Sequence, residues 1–257
     1  MVEKRNPFID HEEFKVKIKL SAGTNMLLQQ DMFRFGFIKS NEEFNVNLFV
    51  NYLLPIMYKF RKSQNDMFKA KLSKRIQNEK QINDFIELAN DFYYEDHANY
   101  HNETINLRIS KKNMDLFQSI FKGDFKKKST FLRSLINQYA SMKLDTREFF
   151  FFNNEYHLIE EAMNKNHSIR FILNEDEIKM MPVDILTCPI NSELYVFGIT
   201  EDGGKIKIRA IRLCTIYHLR MLNEEFDFKI SENMNQQIND FILDLEYLQK
   251  DFKVIGG

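Results

Sequence analysis

The chain contains no tryptophan, two cysteines, four prolines and eight glycines in 257 residues. Each shortage argues against a class of function. A phosphate-cradling loop needs several glycines at fixed offsets, and no Walker loop, Rossmann fingerprint or Gly-x-Ser-x-Gly elbow occurs. Cys188 and Cys214 form no short pair, so neither a disulfide framework nor a cysteine zinc site is expected, and a reducing cytoplasmic compartment fits. No apolar run approaches the ~20 residues that span a bilayer. Met1–Pro7 leads into no apolar stretch of a secretory signal, so no membrane partner is expected. Acidic residues are plentiful but form no recognisable catalytic pair. His97 and His101 have i, i+4 spacing but lack the glutamate of His-Glu-x-x-His, and read as part of an exposed loop. The expectation is a non-enzymatic protein without catalytic residues, cofactor or metal.

What is present is a 44% hydrophobic fraction, enough for a core, and a net charge of only −1. That total hides an uneven distribution. Lys59, Arg61, Lys62, Lys69, Lys71, Lys74, Arg75 and Lys80 form one basic run, and Arg108, Lys111, Lys112, Lys122 and Lys126–Lys128 another. The tail, from Glu224 to Asp251, is acidic. Solvated helix faces are the simpler reading of such runs, but a basic N-terminal half also attracts phosphates.

The most informative pattern is a weak internal repeat. In Phe14–Leu20, Phe14, Val16, Ile18 and Leu20 alternate with Lys15, Lys17 and Lys19, a strand with one oily and one cationic face. A short helix ending near Gly36 follows, then a second helix over Asn45–Tyr58, capped by Asn45 and kinked or shortened by Pro55. The pattern returns in Thr104–Ile109, where Ile105, Leu107 and Ile109 alternate with Thr104, Asn106 and Arg108. Ser110 caps a helix that stops at Gly123, and Ser129 or Thr130 caps another over Phe131–Ala140. One or two linking helices lie between the copies, over Gln64–Tyr94.

The second half changes character. A helix over Asn154–Asn164 precedes five short strands at His167–Leu173, Glu177–Leu186, Glu193–Thr200, Lys205–Arg212 and Thr215–Leu222, with Asp202-Gly203-Gly204 as a hairpin turn. Such spacing suggests a small barrel. The phenylalanines 149–152 read as packing at a domain junction rather than an exposed stacking platform.

Strand, helix, helix, given twice, resembles the ribbon-helix-helix fold of Arc- and MetJ-type repressors. One such unit cannot bury its core alone, and two copies in one chain can pair with each other. The later stretch resembles the WYL domain, a small Sm/SH3-like barrel of bacterial regulators. The likeness rests on Met181–Leu186, on Leu194–Ile199 with Tyr195 and Gly198 kept, and on Arg209–Ile216; Leu194 replaces the family's Trp and Thr215 its second Arg. The combination is similar to WYL regulators of Firmicutes and to WYL proteins that accompany RNA-targeting type VI CRISPR effectors.

These resemblances imply an α+β chain: a ribbon-helix-helix-like half over 1–60, a helical linker over 61–103, a second half over 104–147, a WYL-like barrel over 148–223 and an acidic helical tail over 224–257. They imply nucleic-acid contact by the outward residues Lys15, Lys17, Lys19, Thr104, Asn106 and Arg108, with Lys128 and Ser129 holding phosphate at a helix start. They also imply a nucleotide-like ligand on Tyr195, Arg209, Arg212 and, on the first barrel strand, Arg170. Three functions stay open: a transcriptional regulator on duplex DNA, an accessory protein that binds single-stranded RNA and modulates a CRISPR effector, and a protein-interaction adaptor. Homodimer formation is left open with them.

Overall fold

The computed structural model describes residues 13–94, 103–121, 125–202 and 205–225, with Gln236 and Asp240. The His97/His101 loop, the helix stop at Gly123, the Gly203-Gly204 turn and the rest of the acidic tail lie outside the described residues. The chain is α+β with antiparallel sheets and divides into two compact units, Met1–Met142 and Lys143–Gly257.

The first unit is organised around a two-stranded ribbon. β1 (Glu13–Leu20) runs antiparallel to β2 (Glu103–Ser110), with Val16 opposite Leu107 and Lys17 opposite Asn106. Ile18, Leu20, Leu107 and Ile109 are buried, while Lys15, Lys17, Lys19, Thr104, Asn106 and Arg108 are exposed. Each fully buried apolar side chain is worth ~1.5–3 kcal/mol, and a one-residue slip would turn a row of lysines into the core. The pairing register is therefore strongly selected.

Five helices build the rest of the unit, α1 (Ala22–Arg34), α2 (Val46–Leu72), α3 (Glu79–Tyr94), α4 (Lys111–Phe121) and α5 (Phe125–Ala140), with α2, α4 and α5 packed on the ribbon. Ser21 caps α1 by accepting the Thr24 N–H at 3.1 Å, and Ser110 stands in the same relation to Asn113 at 3.4 Å. Gly36, at φ 74°, takes the left-handed turn that lets Phe37 N–H reach the Met32 carbonyl and end α1. The packing repeats across a pseudo-two-fold axis: α2 lies on β2 and α5 on β1, α2 meets α5, and the α1–α5 contact is matched by α2–α4.

Pro55 does not end α2, which runs on to Leu72 through residues read as linker. A proline at this position leaves the Asn51 carbonyl without its helical N–H. Asn113 Nδ2, from α4, donates to that carbonyl at 2.8 Å. The side chain of Asn51 is engaged as fully: its Nδ2 donates to the Arg108 carbonyl at 2.7 Å, and its Oδ1 accepts the Ser110 N–H at 2.8 Å and Asn113 Nδ2 at 3.0 Å. Asn47 Oδ1 accepts the Arg108 N–H at 2.9 Å. Together the two asparagines seal the outer edge of β2, a row of backbone groups that would otherwise invite another strand.

Polar contacts also cross the core between the helices. The Tyr139 hydroxyl donates to buried Asp31 at 2.7 Å. Arg61, counted in the first basic run, is buried; it donates to Gln138 Oε1 and to Ser134 Oγ at 2.8 Å and to the Ser134 carbonyl at 2.9 Å.

In the second unit α6 (Leu144–Phe151) and α7 (Asn153–Asn164) precede β3 (His167–Leu173), β4 (Asp176–Thr187), β5 (Leu194–Asp202), β6 (Lys205–Arg212) and β7 (Tyr217–Glu225). Phe151 and Phe152 are buried, and Phe149 packs edge-on against Tyr156. The sheet order is β6-β5-β4-β3-β7. The expected closed barrel is not formed: among the described residues no ladder joins β6 to β7. The two edges still converge at one end, because a 3-10 turn at Leu213–Thr215 connects them and the few residues from Arg212 to Tyr217 span at most ~18 Å. The β3–β4 hairpin turns on Asn174 and Glu175, at φ 49° and 76°. That primed turn contains no glycine to announce it.

Phe197 and Ile199 form a core cluster with Met181, Val183, Leu186 and Ile208. Gly198, between them on the opposite face, has no room for a side chain: a Cβ there would stand 2.5 Å from the Met181 carbonyl oxygen and 2.7 Å from the Met180 side chain. Glu148 of α6 is buried and accepts the Leu194 N–H at 2.8 Å and the Cys214 N–H at 3.1 Å, tying the helix to β5 and the 3-10 turn. Burial raises its carboxyl pKa above the ordinary value, against the lowering pull of those two N–H groups.

Asn51→Ala would leave several buried or half-buried backbone and amide groups unsatisfied and should destabilise the first unit by about 2–4 kcal/mol, measured by urea unfolding. Gly198→Ala should cost the second unit about 1–3 kcal/mol in the same assay, because the obstruction includes backbone.

Candidate nucleic-acid interface

β1 and β2 bring six of the candidate residues onto one surface. Cross-strand pairing sets Lys15 against Arg108, Lys17 against Asn106 and Lys19 against Thr104. Strand geometry spaces the outward side chains by ~7 Å along each strand and the strands by ~4.8 Å. Four cations therefore share a patch whose width fits the ~12 Å major groove of duplex DNA. Among the described residues, no hydrogen bond or ion pair engages the side chains of Lys15, Lys17, Lys19, Thr104 or Asn106, which leaves the lysines their charge and the amide its donor and acceptor. Both outer edges of the ribbon are held by side chains, β2 by Asn47 and Asn51, and β1 by Ser129, whose Oγ donates to the Lys17 carbonyl at 3.0 Å. The polar face stays outward, and no further strand covers it among the described residues.

Lys128 and Ser129 are placed otherwise than expected. α5 begins at Phe125, so these residues lie inside the helix and their N–H groups are not its exposed start. Lys128 is 4% exposed and its ammonium sits 5.6 Å above the Phe14 ring. It supports β1 from inside instead of meeting phosphate.

The four candidates of the second unit do not converge. Tyr195 and Arg212 face each other across β5 and β6. Between them stands buried Glu193, which receives Arg212 Nη2 at 2.6 Å and the Tyr195 hydroxyl at 3.2 Å. Arg209 pairs with Gly198 and, three residues from Arg212 on one strand, lies on the opposite face. Arg170 is held by Glu177 at 3.4 Å. It adjoins Ile169, whose partner Met180 pairs with Thr200, about 17 Å along β5 from Tyr195. Only the Tyr195–Arg212 pair remains a local site, and a carboxylate already occupies its guanidinium.

Asn47, Asn51 and Asn113 were not singled out in the sequence. A signal existed: Asn47, Asn51 and Pro55 recur at four-residue intervals on one face of an otherwise apolar helix segment, where polar side chains need a reason to be present.

The chain matches no protein-family model and no curated protein. Among solved structures it is similar to one described as the crystal structure of a CRISPR Cas-related protein, with a TM-score of 0.62 at 15% identity, over 90% of this chain and 67% of that chain. At that identity the likeness is one of fold. Proteasome accessory factor B/C of Arthrobacter aurescens aligns over 51% of this chain and 23% of that chain at 12% identity, with a TM-score of 0.27 that carries no argument.

The two cysteines sit in different surroundings. Cys214 is 2% exposed and its thiol is pushed up to about 12, by burial first and then by the Glu148 charge, whereas Cys188 is half-buried. At pH 8 an alkylating reagent should label Cys188 and spare Cys214 until the protein is denatured, as read by peptide mass spectrometry.

Proposed function

We propose that this chain is a non-enzymatic nucleic-acid-binding regulatory protein that contacts duplex DNA through the β1–β2 face and works in the setting of a CRISPR system. The observation that carries the reading is the ribbon register, which lines up Lys15, Lys17, Lys19, Thr104, Asn106 and Arg108 on one exposed surface. Arg pairs with guanine and Asn with adenine at base edges, and lysines neutralise phosphates. Among the described residues the face bears no aromatic side chain, which argues for a groove over stacked single-stranded bases. The pseudo-two-fold packing of the first unit supports a ribbon-helix-helix-like module. The strand order of the second, with a 3-10 turn joining its outer strands, supports a WYL-like sheet of Sm/SH3 ancestry. A nucleotide-like ligand there would compete with Glu193 for Arg212. The CRISPR setting rests on the structural neighbour's description.

A CRISPR-related neighbour is compatible with a second reading as well, an accessory protein that binds single-stranded RNA and modulates an RNA-guided nuclease. Fluorescence anisotropy with duplex DNA and single-stranded RNA over a salt series separates the two. Selective duplex binding is expected, with Lys17→Ala flattening the log K against log salt slope by about 0.9 and weakening all sequences alike. Arg108→Ala should relax sequence preference, at a cost of about 1–3 kcal/mol on the preferred site, while Arg212→Ala spares it. Tighter binding to single strands would transfer support to the second reading, and no binding at low salt would defeat both.

A further inference from the structure

The inference rests on the reading above, that the outward ribbon face meets a duplex. The pseudo-two-fold axis passes between Lys17 and Asn106, which face each other across the ribbon, so it exchanges Lys15 with Thr104 and Lys19 with Arg108. In a symmetric homodimer such an axis would exchange identical side chains and the face would be self-complementary. Here it exchanges unlike chemistry. Lysine is a rotatable point charge that suits phosphate whatever the base, whereas Asn and Arg offer planar donor sets that fit adenine and guanine edges. The strands are also held unequally. Asn47 and Asn51 fix the N–H and carbonyl of Arg108 and the N–H of Ser110, at 2.7–2.9 Å, on β2. On β1 the Ser129 hydroxyl meets the Lys17 carbonyl.

We propose that one chain binds one non-palindromic duplex site in a single orientation. β2 is the reading strand, with Asn106 and Arg108 on base edges and its backbone fixed by α2. β1 is the anchoring strand, with its lysines on the phosphates of the other half-site.

The test is selection of preferred sites from a random duplex library, with stoichiometry by light scattering, for the wild-type full chain and for the triple variant Lys15→Thr/Lys17→Asn/Lys19→Arg. All three substitutions are on exposed side chains and copy the outward face of β2 onto β1. The wild type should select a sequence without inverted symmetry at one chain per site, and Arg108→Ala should lose about 5- to 150-fold discrimination on one half-site only. The triple variant should select an inverted repeat. A palindromic wild-type consensus, two chains per site, or an unchanged asymmetric consensus in the triple variant would overturn the inference while leaving duplex binding intact. Binding confined to single-stranded RNA, or to no nucleic acid, would overturn it together with the reading beneath it.

Discussion

The first unit depends on one constraint: two short strands, distant in sequence, each half apolar and half cationic or polar, must pair so that all their apolar residues turn the same way. The Ile18–Ile105 and Val16–Leu107 pairings meet it and give α2 and α5 a surface to cover. The polar face is then outward as a consequence, because alternation leaves it nowhere else to go. The Asn47–Asn51–Asn113 network completes the arrangement by sealing an edge that a two-stranded ribbon would otherwise leave exposed. Pro55 takes part in it: the carbonyl its ring frees is the one that α4 uses to attach to α2.

The second unit treats charge differently. Several of its ionisable groups are turned on one another or on the backbone: buried Glu148 on two N–H groups, buried Glu193 on Arg212 and Tyr195, and exposed Glu177 between Arg170 and Arg220. A sheet whose Arg170, Arg212 and Arg220 are already matched to carboxylates offers less to an anion at those groups than a ribbon whose lysines face water. This contrast places the main candidate interface in the first unit.

Much of the fold was legible. The ribbon strands follow from period-2 alternation, the short strands of the second unit are legible as well, with His167–Leu173 and Lys205–Arg212 to the residue, and Ser21, Asn45 and Ser110 announce helix starts. Other features were not. Pro55 signals a break unless a side chain elsewhere takes over the orphaned carbonyl, and Asn113 is more than fifty residues away. Ser129 has the chemistry of a cap, but α5 starts a turn earlier and turns its hydroxyl to β1. The Asn174-Glu175 turn lacks the glycine that would have marked it. Arg209 and Arg212 could have been separated from sequence, since an odd spacing on a strand sends them to opposite faces.

By itself, then, the sequence determined which residues of each strand are oily and which are polar, because that is a property of local alternation and needs no partner. It also shows no glycine-rich phosphate loop and no closely spaced cysteine pair. Only the tertiary structure decided which cations remain available. Arg61 and Lys128 read as surface charges yet are drawn inside by Ser134, Gln138 and Phe14, and Arg212 is claimed by Glu193. Whether a charge is free depends on what long-range packing sets within ~4 Å of it, and local pattern carries no information about that neighbour.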